Sequence, residues 1–332
     1  MTQREIGLAF QSNKQPGEYA RLAARAEGYG ADVFTIYGDL RFQPPLPGLL
    51  EAARSTTRIR LGPTCLNPYT MHPYEIAGQT AALDAASQGR AYLGLARGAW
   101  LGSVGIEQAR PLTYLAEAST VVAMLLAGHR EGFEGEVFAL APGVELQYEP
   151  QRRRVPLLLG SWGARTLALA GKIADEAKIG GSANPDMVAV GRRRIDAGIM
   201  SPRTATDVGL VVGAVTVVDE YGAAARTLAR RQVAMYLDVV AELDSTYRVP
   251  DEVLEAVRSH LARSDTAAAG AVIPDEVLDR FALAGTPEQV ARQALELFAA
   301  GADRVEFGTP HGITPETGID LLGSQVFPLL RS

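Results

Sequence analysis

Between Pro156 and Gly181 the chain reads PLLLGSWGARTLALAGKIADEAKIGG, and the residues able to do chemistry there sit at the corner Gly160-Ser161-Trp162-Gly163-Ala164. Leu157-Leu158-Leu159 is an apolar run too short for a helix, which suits a parallel strand buried on both faces. From Ala164 onward Leu167, Leu169, Ala170 and Ile173 recur at helical spacing, and Glu176 to Ile179 begins another strand. A strand, a glycine turn, a helix and a strand in this order make a right-handed βαβ unit, with main-chain N–H groups pointing outward where the helix starts. Such a corner either binds an anion or is only a tight turn. Gly94-Leu95-Ala96-Arg97-Gly98 closes a second apolar strand and Gly180-Gly181-Ser182 a third, so parallel strands would gather three glycine-bearing loops on one face.

Other chemistries find little support. His72, His129, His260 and His311 are scattered without the paired spacing of metal ligands, so no zinc or iron site is expected. Ser161 lacks the G-x-S-x-G setting of a hydrolase nucleophile, and neither a P-loop nor G-x-G-x-x-G occurs. A net charge of −6 argues against nucleic acid as a partner, and the basic runs at 152–154 and 192–194 are short enough to be solvated. Cys65 is the only cysteine, which excludes an internal disulfide and fits a reducing cytoplasm. No apolar run reaches bilayer length, and the opening MTQREIGLAF lacks the basic and apolar regions of a secretory leader, so none is expected.

The elements that must position these loops alternate along the chain. Strands are predicted at Ile6 to Phe10, Val33 to Tyr37, Ile59 to Leu61, Ala91 to Leu95, Leu157 to Leu159, Glu176 to Ile179, Val208 to Val218 and Asp303 to Phe307, with helical patterns between them. Phe133 to Phe138 followed by Val144 to Tyr148 reads as a small hairpin insertion before strand five. Residues 220 to 283, rich in alanine, arginine and leucine, read as a helical insertion after strand seven; Thr286-Pro287 then opens a further helix. Eight strands alternating with helices in 332 residues predict an α/β fold, a (β/α)8 TIM barrel forming one domain, with a doubly wound sheet as the competitor. A barrel of this kind places its chemistry at the carboxyl ends of the strands. That mouth would receive Gln11 to Asn13, Gly38-Asp39, Thr64 to His72, Ala96 to Trp100, Gly160 to Gly163, Gly180 to Asn184 and Gly308 to His311.

Several segments of the chain resemble the bacterial-luciferase-like superfamily. They are Leu61-Gly62-Pro63, Asn67-Pro68-Tyr69, Leu83-Asp84, Gly89-Arg90-Ala91 and Leu93-Gly94-Leu95, then Leu159 to Arg165 with Ala170 to Asp175 behind it, and finally Gly285 to Glu288 and Gly301 to Asp303. Within that superfamily the sequence is most similar to the deazaflavin-dependent branch that includes methylenetetrahydromethanopterin reductase. The resemblance covers residues 5 to 200 well and 284 to 330 moderately, and is poor over 220 to 283.

The resemblance implies a flavin-type ring in the mouth, coenzyme F420 or alternatively FMN, backed by a bulge whose non-prolyl cis peptide matches Thr64–Cys65. It implies that the cofactor's phosphate side lies against the backbone of Arg97-Gly98-Ala99 and of Ser161-Trp162-Gly163-Ala164, with Gly38, Gly160, Gly180 and Gly181 also at the cofactor. Cys65 then packs in the bulge rather than acting as a nucleophile. Three departures stand out: Ala9 replaces an acid of the reductase branch, Gly38-Asp39 replaces an Asp-His pair, and Met71 replaces an arginine. The first argues against simple methylenetetrahydropterin reduction. A deazaflavin carries the hydride chemistry, leaving the protein to supply a proton donor or charge stabiliser. Asp39 is the first candidate and His72 the second; each has a structural alternative, as a loop cap or solvated acid for Asp39 and as a packing residue for His72. Gln11, Asn13 and Asn67 are candidates for polar edges of ring or substrate. Arg97 faces either the cofactor's acidic tail or a surface partner, and Trp100 and Trp162 either cover the pocket or pack the mouth.

The expected activity is F420-dependent hydride transfer to or from a small organic substrate. The alternatives are an FMN-dependent monooxygenase of the same fold and a non-catalytic flavin-binding or scaffold protein. The resemblance alone suggests a homodimer.

Overall fold

The computed structural model describes residues 4–199 and 208–331. Eight parallel strands form the barrel: β1 (Glu5–Phe10), β2 (Val33–Ile36), β3 (Arg60–Pro63), β4 (Leu93–Ala96), β5 (Leu157–Gly160), β6 (Glu176–Gly180), β7 (Gly209–Val218) and β8 (Arg304–His311). They pair in the order β3-β2-β1-β8-β7-β6-β5-β4. Bridges between Leu61 and Ala91 and between Leu66 and Leu95 join β3 to β4 and close the ring. This is a TIM barrel rather than an open doubly wound sheet.

Side chains alternate across each strand, so one set faces the helices and the other the lumen. Ile6, Leu8 and Phe10 of β1, Val305 and Phe307 of β8, and Leu210 and Val212 of β7 belong to the apolar cluster shared with the helices. The lumen holds a smaller cluster of Val33, Tyr92, Leu158 and Val211, with Cys65 packed against it. Registers place Glu5 beside Arg304, Gly7 beside Glu306 and Ala9 beside Gly308, so the alternate residues carry charge inward.

Two departures from the sequence reading concern short strands. Phe133–Glu134 pairs antiparallel with Ala139–Leu140, while 144–148 forms no strand; the Gly135 N–H to Phe138 carbonyl bond closes the loop earlier than expected. Ala282–Gly285, read as the end of helical sequence, is a strand that pairs parallel with the far half of β7. Ten residues make β7 long enough to serve both neighbours. Between β7 and this strand lie α7 (Gly222–Ala234), α8 (Leu237–Ala241), α9 (Asp251–Leu261), α10 (Thr266–Ala271) and α11 (Asp275–Phe281).

The helical stretch is pinned to the mouth through Asn184, which caps α6 (Pro185–Asp196) by accepting from the Asp186 N–H at 3.0 Å. Its amide donates to Asp244 Oδ2 and Thr246 Oγ1, both at 2.8 Å, and its oxygen also accepts from Arg280 at 2.5 Å. Asn184 is fully buried and so is Asp244 among its partners, so losing that bond strands a buried carboxylate oxygen. Asn184→Ala should cost about 2–4 kcal/mol, combining a lost cap with an Asp244 Oδ2 that loses its donor, while Oδ1 keeps Thr246 and Tyr247. Urea unfolding measures it, and a loss below about 1 kcal/mol would contradict this role.

Candidate active site

The mouth is organised by the segment that follows β3. Thr64–Cys65 is a cis peptide bond, and the chain turns inward there. Three glycines make room. A Cβ on Gly38 would lie 2.4 Å from the Cys65 carbonyl oxygen, one on Gly94 2.2 Å from the Pro63 oxygen, and one on Gly160 2.9 Å from Cys65 Sγ. Leu66 then rejoins β4, donating to the Gly94 carbonyl and accepting from Ala96, both at 2.9 Å. Gly38 and Gly160 therefore shape the bulge by lacking side chains.

Around the bulge lies a polar set that the sequence reading found only in part. Asp39 is half-buried and accepts from Gln11 Nε2 at 3.3 Å. Burial pushes its pKa above the ordinary carboxylate value, against the opposing pulls of Gln11 and the Lys178 charge. Tyr37 is raised well above a normal phenol by burial and then by Glu306. Lys178 is buried, ion-paired with Glu306, and donates to Thr64 Oγ1 at 3.2 Å. Thr64 in turn donates to Thr35 Oγ1 (2.9 Å), which donates to the Gly62 carbonyl (2.7 Å).

Lys178 heads a column of charge through the lumen. Arg304 bonds Glu306 at 3.0 Å and Glu176 at 2.8 Å, and Arg60 reaches Glu176 at 3.1 Å and Glu5 at the opposite end. The signal for these residues was present as charges two apart in Glu176/Lys178 and Arg304/Glu306. Two charges on one face of a strand that must bury that face demand an ionic lumen.

Other expected site residues take structural positions. His72 is exposed and caps α3 (Pro73–Ala86), its Nδ1 accepting from the Tyr74 N–H at 3.1 Å, with its edge against Phe138. It is thereby separated from the Gln11–Asp39 pair in role. Asn67 spends its oxygen on the N–H groups of Tyr69 and Thr70 and packs under Gly98. Asn13 accepts from Lys14 at the exposed rim. Trp100 is 43% exposed, whereas Trp162 is buried and donates to the Gly180 carbonyl at 2.7 Å, so it ties two loops together. Arg97 and Ala99 are exposed, and Gln108 holds the loop by donating to the Gly98 carbonyl at 2.9 Å.

The glycine corner needs a correction. The Ser161 N–H is committed to the Lys178 carbonyl, the Gly163 N–H to Ser161 Oγ, and the Gly181 N–H to the Gly213 carbonyl. These amides do not point outward. What remains is the amino end of α5 (Ala164–Ile173), which no side chain caps and where Gly163 and Ala164 are exposed. An uncapped first turn presents N–H groups and a positive partial charge to an anion. A phosphate-bearing flavin-type cofactor fits this arrangement, with the bulge for a flat ring and the helix end for its anionic side.

A model of the luciferase-like monooxygenase family matches residues 2–304. The chain belongs to this family. It is 28% identical to a 5,10-methylenetetrahydromethanopterin reductase of Archaeoglobus fulgidus, over 98% of this chain and 100% of that one. The structure of an F420-dependent tetrahydromethanopterin reductase from Methanopyrus kandleri superposes with a TM-score of 0.90 at 25% identity, covering 98% and 99% of the two chains. An F420-dependent secondary alcohol dehydrogenase, solved with an F420–acetone adduct, shares the fold at a TM-score of 0.77 and 18% identity, with 99% and 100% coverage. This luciferase-like chain is thus an enzyme of an oxidoreductase family.

The space around the glycines separates two substitutions within the family's mouth. Gly94→Ala drives a Cβ into the main chain of the bulge and should cost about 1–3 kcal/mol. In Gly163→Ala the new Cβ meets only Ser161 Oγ at 3.5 Å, so stability should stay within about 0.5 kcal/mol. Equal thermal shifts in the two variants would contradict the packing described. Burial also pushes the Cys65 thiol up to about 12, so it should react with Ellman's reagent at pH 8 far more slowly than a free thiol.

Proposed function

We propose that this enzyme is an F420-dependent oxidoreductase that transfers hydride to a small organic substrate and supplies the accompanying proton from Asp39. The observation that carries the reading is the half-buried Asp39–Gln11 pair beside the glycine-lined bulge, in a mouth that also holds the uncapped end of α5. When bound, the deazaflavin supplies the carbon that exchanges hydride. The chain's own residues do the rest: the segment 63–65 backs a planar group, the first turn of α5 holds an anion, and Asp39 gives up a proton from Oδ1 or Oδ2. The F420-dependent reductases and dehydrogenases among the relatives support this choice over FMN.

At its mouth end β1 carries no acid, since Ala9, beside Gly308, stands there and the strand's one acid, Glu5, pairs with Arg60 at the other end. Asp39 supplies the acid from a different strand end, which supports a substrate other than the pterin of the reductases. A homodimer also belongs to this reading, with gel filtration as its check.

Titration of the protein with F420 and, separately, FMN, followed by fluorescence, tests the cofactor. Saturable binding of F420 is expected. Binding of FMN alone would replace the reading with a monooxygenase, and F420 binding without turnover over a broad panel of carbonyl, imine and alkene acceptors would replace it with a binding protein.

The proton donor has a pH signature. Because Asp39 is shifted upward, it stays protonated above the usual carboxylate range, and the rate of substrate reduction should fall as pH rises through the shifted value. Asp39→Asn should lose about 10²-fold or more in kcat and the descending limb with it. The same shift means that the native state binds this proton more tightly than the unfolded chain. Stability is therefore lost as pH rises from the unfolded value of 3.8 through the folded one, a loss absent in Asp39→Asn.

A further inference from the structure

We infer that Lys178 is a positioning residue that holds a fixed positive charge beneath the ring site and biases a bound flavin-type ring toward its reduced form. The inference rests on the cofactor reading above and concerns a residue on β6 that never reaches the rim.

Lys178 differs from an ordinary buried ion pair in how its partner is shared. Glu306 places Oε2 on the Lys178 ammonium and Oε1 on Arg304, so one carboxylate lies between two cations. Lower in the lumen Arg304 and Arg60 already pair with Glu176 and Glu5. The carboxylate is thus held from below without Lys178, and the ammonium is the positive end of the column nearest the mouth. It donates to Glu306 and to Thr64 Oγ1, and its Nζ lies 5.5 Å from the centroid of the Tyr37 ring. An ammonium has three N–H groups, and among the described residues only these two have acceptors.

The surroundings are built to admit this side chain. A Cβ on Gly213 would lie 3.3 Å from Lys178 Cε and 3.4 Å from Glu306 Cβ, and one on Gly7 2.7 Å from Glu306 Cγ. Its field also reaches the mouth: burial raises both Asp39 and Cys65, and the Lys178 charge pulls each back down, opposed at Cys65 by Glu306. Thr64, which the ammonium contacts, is the first residue of the cis peptide that would back the ring. Reduction by hydride brings two electrons and one proton, so a neutral ring gains one negative charge until a second proton arrives. A cation preset in a dry lumen stabilises that gain without moving.

The test measures the midpoint potential of the bound ring, F420 or FMN according to which the wild-type protein binds, by equilibration with a reference dye. Lys178→Met keeps Glu306 paired with Arg304, so the fold should survive; circular dichroism and thermal melting check it. The ratio of affinities for reduced and oxidised ring should fall about tenfold, a shift of about −30 mV for a two-electron couple. Lys178→Arg should stay within about threefold of wild type, a shift of about 15 mV. Glu306→Gln keeps the ammonium and removes its counter-charge, so it should shift the potential in the positive direction. A purely structural pair would weaken both redox states alike and move neither midpoint. Wild-type binding with unchanged midpoints in Lys178→Met, or in Glu306→Gln if the first variant does not fold, overturns this inference alone. A wild-type protein that binds neither ring overturns the cofactor reading and this inference together.

Discussion

The structure depends on the inward turn after β3, where main chain occupies space that three neighbouring strands leave empty. Pro63 and Cys65 approach Gly94, Gly38 and Gly160 so closely that a methyl group at any of the three glycines would meet an oxygen or sulfur inside 3 Å. Once past the turn, Leu66 re-enters the hydrogen-bond ladder of β4 on both sides. The ring of strands is therefore closed by the same residues that open the mouth. Packing forces this coincidence: a bulge displaces backbone toward the axis, and only glycine on adjacent strands can accept it.

Below the turn the lumen departs from the branched apolar filling usual in such barrels. Val33, Tyr92, Leu158 and Val211 supply one apolar layer, but Glu5, Arg60, Glu176, Arg304, Glu306 and Lys178 thread past it as three acids and three bases. Taking these groups out of water is costly, and close pairing does little more than offset the cost. The column therefore contributes little net stability, although breaking it at one member is harmful. Its consequence is electrostatic. Charges locked by mutual bonds cannot reorient, so the potential at the upper end is a fixed property of the fold.

Much of this architecture is legible in the sequence because strands buried on their outer face announce themselves as apolar runs, and glycine marks their ends. The eight strands and the glycine corner at 160–163 follow from that. The lumen is legible only as charges two apart on β6 and β8; which acid meets which base depends on how the strands line up, Glu306 on Lys178 and Arg304, Glu176 on Arg304 and Arg60. The acceptors of the amides at 161, 163 and 181 are not legible for a related reason: Lys178, Ser161 and Gly213 are brought to them by tertiary pairing or side-chain rotamer. His72 is the opposite case. A histidine directly before a proline that opens a helix is well placed to cap it, and that local geometry accounts for its position without chemistry.

The stretch least legible by resemblance, 220 to 283, is also the one that completes the mouth. Tyr236 donates to the Phe281 carbonyl at 3.1 Å, and a Cβ on Gly181 would lie 3.0 Å from Val240, so the end of α7 and the start of α8 sit against the loop after β6. That loop begins three residues after Lys178 and ends at Asn184, which holds Asp244, Thr246 and Arg280 together. One short run of chain thus carries a lumen cation at one end and the anchor of the helical stretch at the other. The helices touch that loop while β6, braced by its ladders to β5 and β7, keeps the lumen charge in place.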